Sequence, residues 1–534
     1  MLRLTLAQLN PTVGDVNGNA SKILEVWKDY DSKSDLIIFP EMFLCGYPLE
    51  DLVLNLGFIK TAQKAIDAIC KKTKDYKSAC IVPAPYMEDG KVYNTAQLIE
   101  NGEVKHIIRK HELPNYGVFD EKRTFYSGEM PKPITFKGHK LGVMICEDVW
   151  FNNVPKHLSD HGADLLIVLN GSPFKTQKHQ QRLDIIKECV HQTSLDTIYL
   201  NMVGGQDELV FDGHSFIMDK NKNIVFEAPD FEEDIICLEY QDSTFNITKA
   251  LPYAPLSVEE EVYRAACLGL RDYVHKNGFK DVLIGLSGGV DSALTAAICV
   301  DALGSEHVRC IMMPSEFTTQ NSLDDAKSCA EMLGVEYEII SIKDAVKTFE
   351  HIIPNLKDLA HENTQSRIRG VILMALSNMS GAMVITTGNK SEMAVGYCTI
   401  YGDMNGGYNP LKDMYKTDVY KICKWRNTQG LVIPENIITK APSAELREDQ
   451  KDQDSLPPYE ELDRILKMLI DNDDRLQDHN DNPATIAKIA KLLKNSEYKR
   501  FQSPPGARLS ARAFGRDRRY PMTNGFTNII EQKD

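Results

Sequence analysis

The chain has 534 residues, of which 43% are hydrophobic and 26% charged, and its formal net charge is −15. That length exceeds what a single hydrophobic core serves, so two domains of ordinary globular composition are expected. The acidic balance argues against broad, nonspecific binding to nucleic acid or acidic membranes, though not against a local basic pocket for a phosphorylated substrate.

The first residues, MLRLTLAQLNPTVGD, read as a strand rather than a signal peptide, and no run reaches the length of a membrane-spanning helix. Twelve cysteines are scattered singly, without a CxxC pair or zinc-ligand spacing. Most are expected to act as small apolar residues of a reduced, cytoplasmic protein.

Short apolar runs recur through the first 240 residues and end abruptly in polar ones: LIIFPE (36–41), HIIRKHE (106–112), GVMICED (142–148) and LLIVLNGSPF (165–174). Runs of this length suggest strands buried on both faces. Between some of them, SKILEVWKDY (21–30) and FIKTAQKAIDAICKKT (58–73) carry apolar residues at helical spacing. The alternation predicts an α/β layered domain.

Three of those runs end in residues with chemistry to offer: Glu41, Lys110 and Cys146. Amide cleavage needs such a set, namely a nucleophile, a base for its proton and a positive group near the developing oxyanion. Cys146 alone is ambiguous, because one cysteine in an apolar run is more often core. Its neighbours Glu147 and Asp148 also disfavour a thiolate. If Cys146 is a nucleophile, its activation lies elsewhere in the chain, and because successive strand residues point to opposite faces Glu147 need not face the thiol.

Residues 241–256, QDSTFNITKALPYAPL, lose this rhythm and carry two prolines. The expected division is a first domain over 1–245, a linker over 246–257 and a second domain over 258–534. The second opens with a helical stretch (258–278), a strand DVLIGL (281–286) and the turn SGGVDS (287–292) leading into an alanine-rich helix. Glycines let backbone amides turn inward, and the unpaired N–H groups of the new helix face the same point, so an anion cradle is expected. Ser287 and Ser292 can add hydroxyl donors, and Asp291 can hold a divalent cation bridging phosphates. No Gly-Lys-Ser/Thr follows, so this is not a Walker A loop. The charged segment 444–460, AELREDQKDQDSLPPYE, is expected to be a mobile loop.

The SGGVDS loop resembles the pyrophosphate-binding loop of ATP pyrophosphatases. ENTQSRIRG (362–370), ITTGNKSEMAVGYCTIYGDMNGGYNPLKDMYKTDVY (385–420), KAPSAEL (440–446) and RAFGRDRRYP (512–521) resemble the blocks of NAD synthetases. The resemblance implies a doubly wound, parallel-sheet α/β domain in which Gly285, Leu286, Ser287, Gly288, Gly289, Val290, Asp291, Ser292 and Thr387 hold ATP. It also implies that Asn363, Glu392 and Lys499 contact nicotinic acid adenine dinucleotide, and that Asp291 and Glu392 bind magnesium.

The Glu41, Lys110 and Cys146 contexts resemble the nitrilase, or carbon–nitrogen hydrolase, superfamily over about residues 1–240. LPNYGVFDEKR (113–123) is similar to glutaminase domains joined to NAD synthetases. This implies an α-β-β-α sandwich with Tyr116, Ser172 and Lys178 on glutamine, and Glu121 as an additional acid orienting Lys110 or the substrate. The two resemblances together imply glutamine-driven amidation of the adenylated dinucleotide, a protected path for ammonia, and at least a homodimer.

Two other readings stand beside this one. One keeps the adenylating chemistry with another acceptor, such as a nucleotide or a tRNA base; a tRNA enzyme would be expected to show a basic surface, which the net charge does not support. A binding protein with a degenerate site would not be expected to keep Glu41, Lys110, Cys146 and Asp291 together. RDRRYP (516–521) is read as a local phosphate contact or subunit interface rather than a nucleic-acid patch.

Overall fold

A computed structural model describes residues 1–247, 254–471 and 482–526. The chain separates into two compact units, Met1–Pro255 and Leu256–Asp534. Half of the segment expected as a linker, 248–253, lies outside the described residues. The rhythm lost at residue 241 is a hairpin turn: Asp242 and Ser243 take φ of 50° and 58°, and the strand Thr244–Ile247 pairs back on Asp234–Gln241. These residues therefore belong to the first sheet.

The first unit stacks a seven-stranded sheet against a six-stranded one. Period-two alternation assigns the faces. Leu4, Leu6, Leu36, Ile38, Val143, Ile145, Ile167 and Leu169 meet between the sheets. Ile37, Val82 and Ala84 face outward onto the helices Val16–Tyr30 and Leu56–Lys72. On the other side Met144, Leu166 and Val168 face the helices Asn153–Asp160 and Lys178–Thr193. The layers run α-β-β-α, as the sequence led us to expect. Each aliphatic side chain removed from water here contributes about 1.5–3 kcal/mol, which is why the runs are apolar at successive positions rather than at every second one.

The second unit holds a four-stranded parallel sheet in the order Glu336–Ile339, Val308–Met312, Val282–Gly285, Met383–Ile385. Its first strand in sequence, Val282–Gly285, thus has neighbours on both sides, and its carboxyl end lies where the winding reverses. Such a switch point leaves a crevice beyond the strand ends. Helices Tyr459–Asp471 and Pro483–Asn495 pack through Leu462, Ile465, Leu466 and Ile489 around Lys390–Val395. No helix among the described residues is long and apolar enough to cross a membrane.

Candidate functional site

In the first unit three strand ends carry the residues singled out by sequence. Glu41 follows Leu36–Ile38, Lys110 follows Glu103–Arg109 and Cys146 follows His139–Ile145. Lys110 is wholly buried and donates to Glu41 Oε1 at 2.8 Å and to Glu121 Oε1 at 3.0 Å. Burial opposes its charge, but Glu121, Glu41 and Cys146 outweigh that and hold the ammonium well above its ordinary pKa. The Glu41 carboxylate also accepts from Asn94 Nδ2 at 2.8 Å and from the Gly171 N–H at 2.9 Å. Burial raises Glu121 to about 7 despite Lys110.

Cys146 stands at an elbow. Its φ is +46°, a conformation that costs a side-chain-bearing residue on the order of 1–3 kcal/mol. The chain then enters a tight helical turn, Cys146–Trp150. Buried Asp148 braces the elbow, accepting from Ile145 N–H at 3.0 Å, His111 N–H at 3.0 Å and Glu112 N–H at 2.8 Å. One carboxylate thereby ties the cysteine turn to the residues that follow Lys110. Burial pushes the Cys146 thiol well up, Glu41 adds to this and Lys110 opposes it. The group is a thiol in need of a base.

Strand alternation stops at Ile145, so it does not govern Glu147, whose charge is among those that raise the Cys146 thiol. Its carboxylate accepts from the half-exposed Tyr116 hydroxyl at 2.9 Å. Lys178 acts on the same carboxylate, with its ammonium 3.9 Å from the centre of the Trp150 ring. Ser172 is buried, and its hydroxyl and carbonyl accept from the wholly buried Arg182 at 3.1 and 2.7 Å. Arg182 is paired in turn with Asp212 at 2.7 and 2.8 Å. The structure thus gathers Tyr116 and Lys178 around Glu147, and sets Ser172 beside the Gly171 amide that binds Glu41. Asn94 and Arg182 gave no signal in the sequence, and Asp148 was read there only as a charge opposing the thiolate.

Beside this site His179, His214 and Glu227 bring three possible metal-ligand atoms within 4.8 Å of one another. The two rings lie parallel, 7° apart with centroids at 3.4 Å, so no single ion lies in both ring planes as lone-pair coordination requires. Both Nε2 atoms sit on Glu227 Oε1, at 3.0 and 3.2 Å, and Asp230 takes His214 Nδ1 at 2.6 Å. This is a hydrogen-bonded clasp.

In the second unit the glycine turn lies at the switch point. Gly288 has φ +79°, and a Cβ there would collide with the Ser322 carbonyl oxygen, so glycine is required twice over. The helix Val290–Leu303 starts at Gly289. Ser287 and Ser292 hydroxyls lie 3.1 Å apart, and Ser292 donates to Gly289 O at 3.0 Å. Beyond them opens a cavity of about 680 Å³, a size that suits a nucleotide. All of 285–292 except Gly288 lines it, together with Thr387, Asn363, Glu392 and Lys499.

Lys416, absent from the sequence reading, lies at the centre of this wall. Its ammonium donates to Asp291 and, at 3.1 Å, to Glu392 Oε1. Burial opposes that charge, and Asp291 and Glu392 hold it well above the usual lysine range. Glu392 is raised to about 8 by burial, against Lys416. Arg369 also lines the cavity, donates to Met313 O at 3.0 Å and is depressed by burial to about 10. Asn363 Oδ1 accepts from the Thr399 hydroxyl at 2.9 Å. Lys499 is committed to the cavity rim, donating to Gly396 O at 2.8 Å and Cys398 O at 2.7 Å.

The segment expected as a mobile loop is instead part of the cavity wall. Glu445 accepts from Thr319 at 2.9 Å and Ser322 at 2.7 Å, Leu446 O accepts from Gln365 at 2.9 Å, and buried Asp452 accepts from Tyr459 at 2.8 Å. Glu445 and Asp452 turn inward while the other charged residues of the segment stay exposed, so composition alone did not reveal the wall. In RDRRYP, Asp517 pairs with Arg508, and Arg518 with Glu497 at 2.7 Å, so these charges are spent within the domain.

Comparison with known proteins follows the same division. The carbon-nitrogen hydrolase family model matches residues 3–247, and the NAD synthase family model matches residues 262–503. The chain is 46% identical to the glutamine-dependent NAD(+) synthetase of Rhodobacter capsulatus and 43% identical to that of Acinetobacter baylyi, in each case over 98% of both chains. Among solved structures, the glutamine-dependent NAD+ synthetase of Acinetobacter baumannii in complex with ADP matches with a TM-score of 0.79 and 41% identity, over 98% of this chain and 99% of that one. The fold is shared with the glutamine-dependent NAD(+) synthetase of Cytophaga hutchinsonii, with a TM-score of 0.81 at 22% identity over 98% of each chain.

Proposed function

Because the chain belongs to the glutamine-dependent NAD+ synthetases, we propose that Glu41, Lys110 and Cys146 release ammonia from glutamine and that the second domain uses it to amidate an adenylated dinucleotide. The observation that carries this reading is the buried Lys110 ammonium, clamped by Glu41 and Glu121 and acting electrostatically on Cys146. Lys110 cannot serve as a base while two carboxylates keep it charged. Glu41 therefore takes the thiol proton, and the thiolate adds to the side-chain carbonyl of glutamine. Lys110 stabilises the oxyanion. Glu41 returns the proton to the departing nitrogen, and ammonia leaves a thioester on Cys146. Water, deprotonated by Glu41, then hydrolyses the thioester, releasing glutamate and restoring the thiol. Tyr116, Ser172 and Lys178 bind the amino-acid end of glutamine, and Glu121 keeps Lys110 aimed.

In the second domain ATP lies along 285–292 and Thr387, with its phosphates at the amides that open the helix Val290–Leu303. The nicotinate carboxylate of nicotinic acid adenine dinucleotide, held by Asn363, Glu392 and Lys499, attacks the α-phosphorus and pyrophosphate leaves. Ammonia then attacks the acyl-adenylate, AMP leaves, and NAD+ results. The donor chemistry fits magnesium: Asp291 and Glu392 offer hard oxygens and already share one cation, the Lys416 ammonium. Held there, magnesium would neutralise charge on the departing pyrophosphate. By the same resemblance the enzyme is cytoplasmic and at least a dimer.

The test is NAD+ formation from nicotinic acid adenine dinucleotide, ATP and magnesium with glutamine or ammonium chloride as nitrogen source. Cys146→Ala should abolish glutamine-driven synthesis and retain the ammonia-driven reaction. Loss of both would refute the division of labour.

A further inference from the structure

Asn389 is wholly buried and does not line the cavity, yet its amide joins the two chain segments that supply the cavity's carboxylates. Its Oδ1 accepts from the Glu392 N–H at 3.0 Å, capping the helix Lys390–Val395. Its Nδ2 donates to Asp291 Oδ1 at 3.0 Å. The partners fix the orientation of the amide, because an N–H must meet the oxygen and a carboxylate must meet the NH2 group. On the far side of the same carboxylates, the Lys416 ammonium is held by Asp291 and Glu392 together. Asp291 Oδ1 is thus set from behind by Asn389, while its Oδ2 faces Lys416.

We propose that Asn389 is a positioning residue of the adenylation site: it fixes the Asp291 carboxylate relative to the helix that carries Glu392, so that both close on one cation. This rests on the reading of 285–292 as the ATP loop, but adds to it a residue that touches neither nucleotide nor cation. An aspartate or serine could cap the helix equally well. Only a side chain with both an acceptor and a donor at this reach can also hold Asp291, so the amide is chosen for the bridge.

Two substitutions in the full chain separate cap from bridge. Asn389→Ser keeps an oxygen for the cap but is too short for Asp291, whereas Asn389→Ala removes both. ATP binding is measured by calorimetry in EDTA and across a magnesium chloride titration, and thermal unfolding is followed alongside. A lost hydrogen bond to a charged group predicts that both variants need about tenfold more magnesium for the same gain in ATP affinity. Binding in EDTA and the melting temperature of the serine variant should stay near wild type. If Asn389→Ser answers magnesium as wild type does, the residue is only a cap and the proposal is overturned. Equal losses with and without magnesium would make it merely structural, which overturns the proposal as well. If the wild type binds no ATP under either condition, the ATP reading of the loop falls and takes this proposal with it. The other outcomes leave that reading standing.

Discussion

In the first domain Lys110 lies between Glu41 and Glu121; in the second Lys416 lies between Asp291 and Glu392. The charge arrangement is the same, but the surroundings differ. Lys110 is sealed among strand ends, and one of its carboxylates is further tied by Asn94 and Gly171. Lys416 lines an open cavity. A sealed ammonium is a permanent fixture that keeps its field on the neighbouring thiol. An ammonium at a cavity wall holds two carboxylates ready for whatever cationic or phosphate group enters. The comparison teaches that a buried ion pair is weak evidence for stability by itself and must be read by what it faces.

The largest effect that could break this comparison comes from removing each lysine. Lys110→Met should lower glutamine-driven NAD+ formation by about a thousandfold or more, the loss expected when oxyanion stabilisation disappears, and spare the ammonia-driven reaction. Lys416→Met should reduce synthesis from both nitrogen sources by about a hundredfold or more, because Asp291 and Glu392 lose the cation that holds them together at the cavity wall. Steady-state rates with each nitrogen source measure both. If Lys416→Met kept ammonia-driven synthesis near wild type, the parallel between the two lysines would be geometric only.

A smaller effect sharpens the contrast between a braced and an open site. Asp148 holds the elbow of Cys146 through three backbone amides. Asp148→Asn should lower glutamine-driven turnover by about ten- to hundredfold through misplacement of the thiol, with ammonia-driven synthesis unchanged. An equal loss with both nitrogen sources would show that Asp148 supports the fold rather than the elbow.

Which of these parts the sequence revealed follows from how local each one is. Glu41, Lys110 and Cys146 were legible because each ends an apolar run, and runs that become strands bring their ends to one edge. SGGVDS was legible because a strand, a glycine turn and a helix are consecutive. The place of Glu147 was not legible because alternation presumes a strand, and the strand ends at Ile145, before the left-handed φ of Cys146. The brace made by Asp148 and the bridge made by Asn389 were silent because the distant partners that define them lie 36 and 37 positions away in one case and 98 in the other. The segment 444–460 was misread because charge run together usually means solvent, whereas Glu445 and Asp452 turn inward to hydroxyl donors. Thr244–Ile247 was passed over since its strand is short and follows a turn whose residues carry no glycine or proline.

The smallest expected effect concerns stability and belongs to the first domain alone. In the clasp beside its site, burial opposes the His214 charge, yet Asp230 and Glu227 raise the histidine to about 9. A folded pKa above the unfolded value near 6.5 means the contribution is complete below about 6.5 and is lost as pH rises through about 9. Glu227 has the opposite sign: although burial raises it, His179 and His214 lower it to about 2, so its contribution is present above the unfolded value and lost as pH falls through about 2. His179 is depressed, chiefly by burial, so protonating it as pH falls also costs stability. Denaturant unfolding between pH 6 and 9.5 should therefore show the first domain losing up to about 3 kcal/mol more than its His214→Asn variant loses over the same range. A variant that follows the wild-type slope would mean that the His214 proton contributes nothing to folding, and that the buried ion pairs of this domain act through Lys110 with its carboxylates and through Arg182 with Asp212.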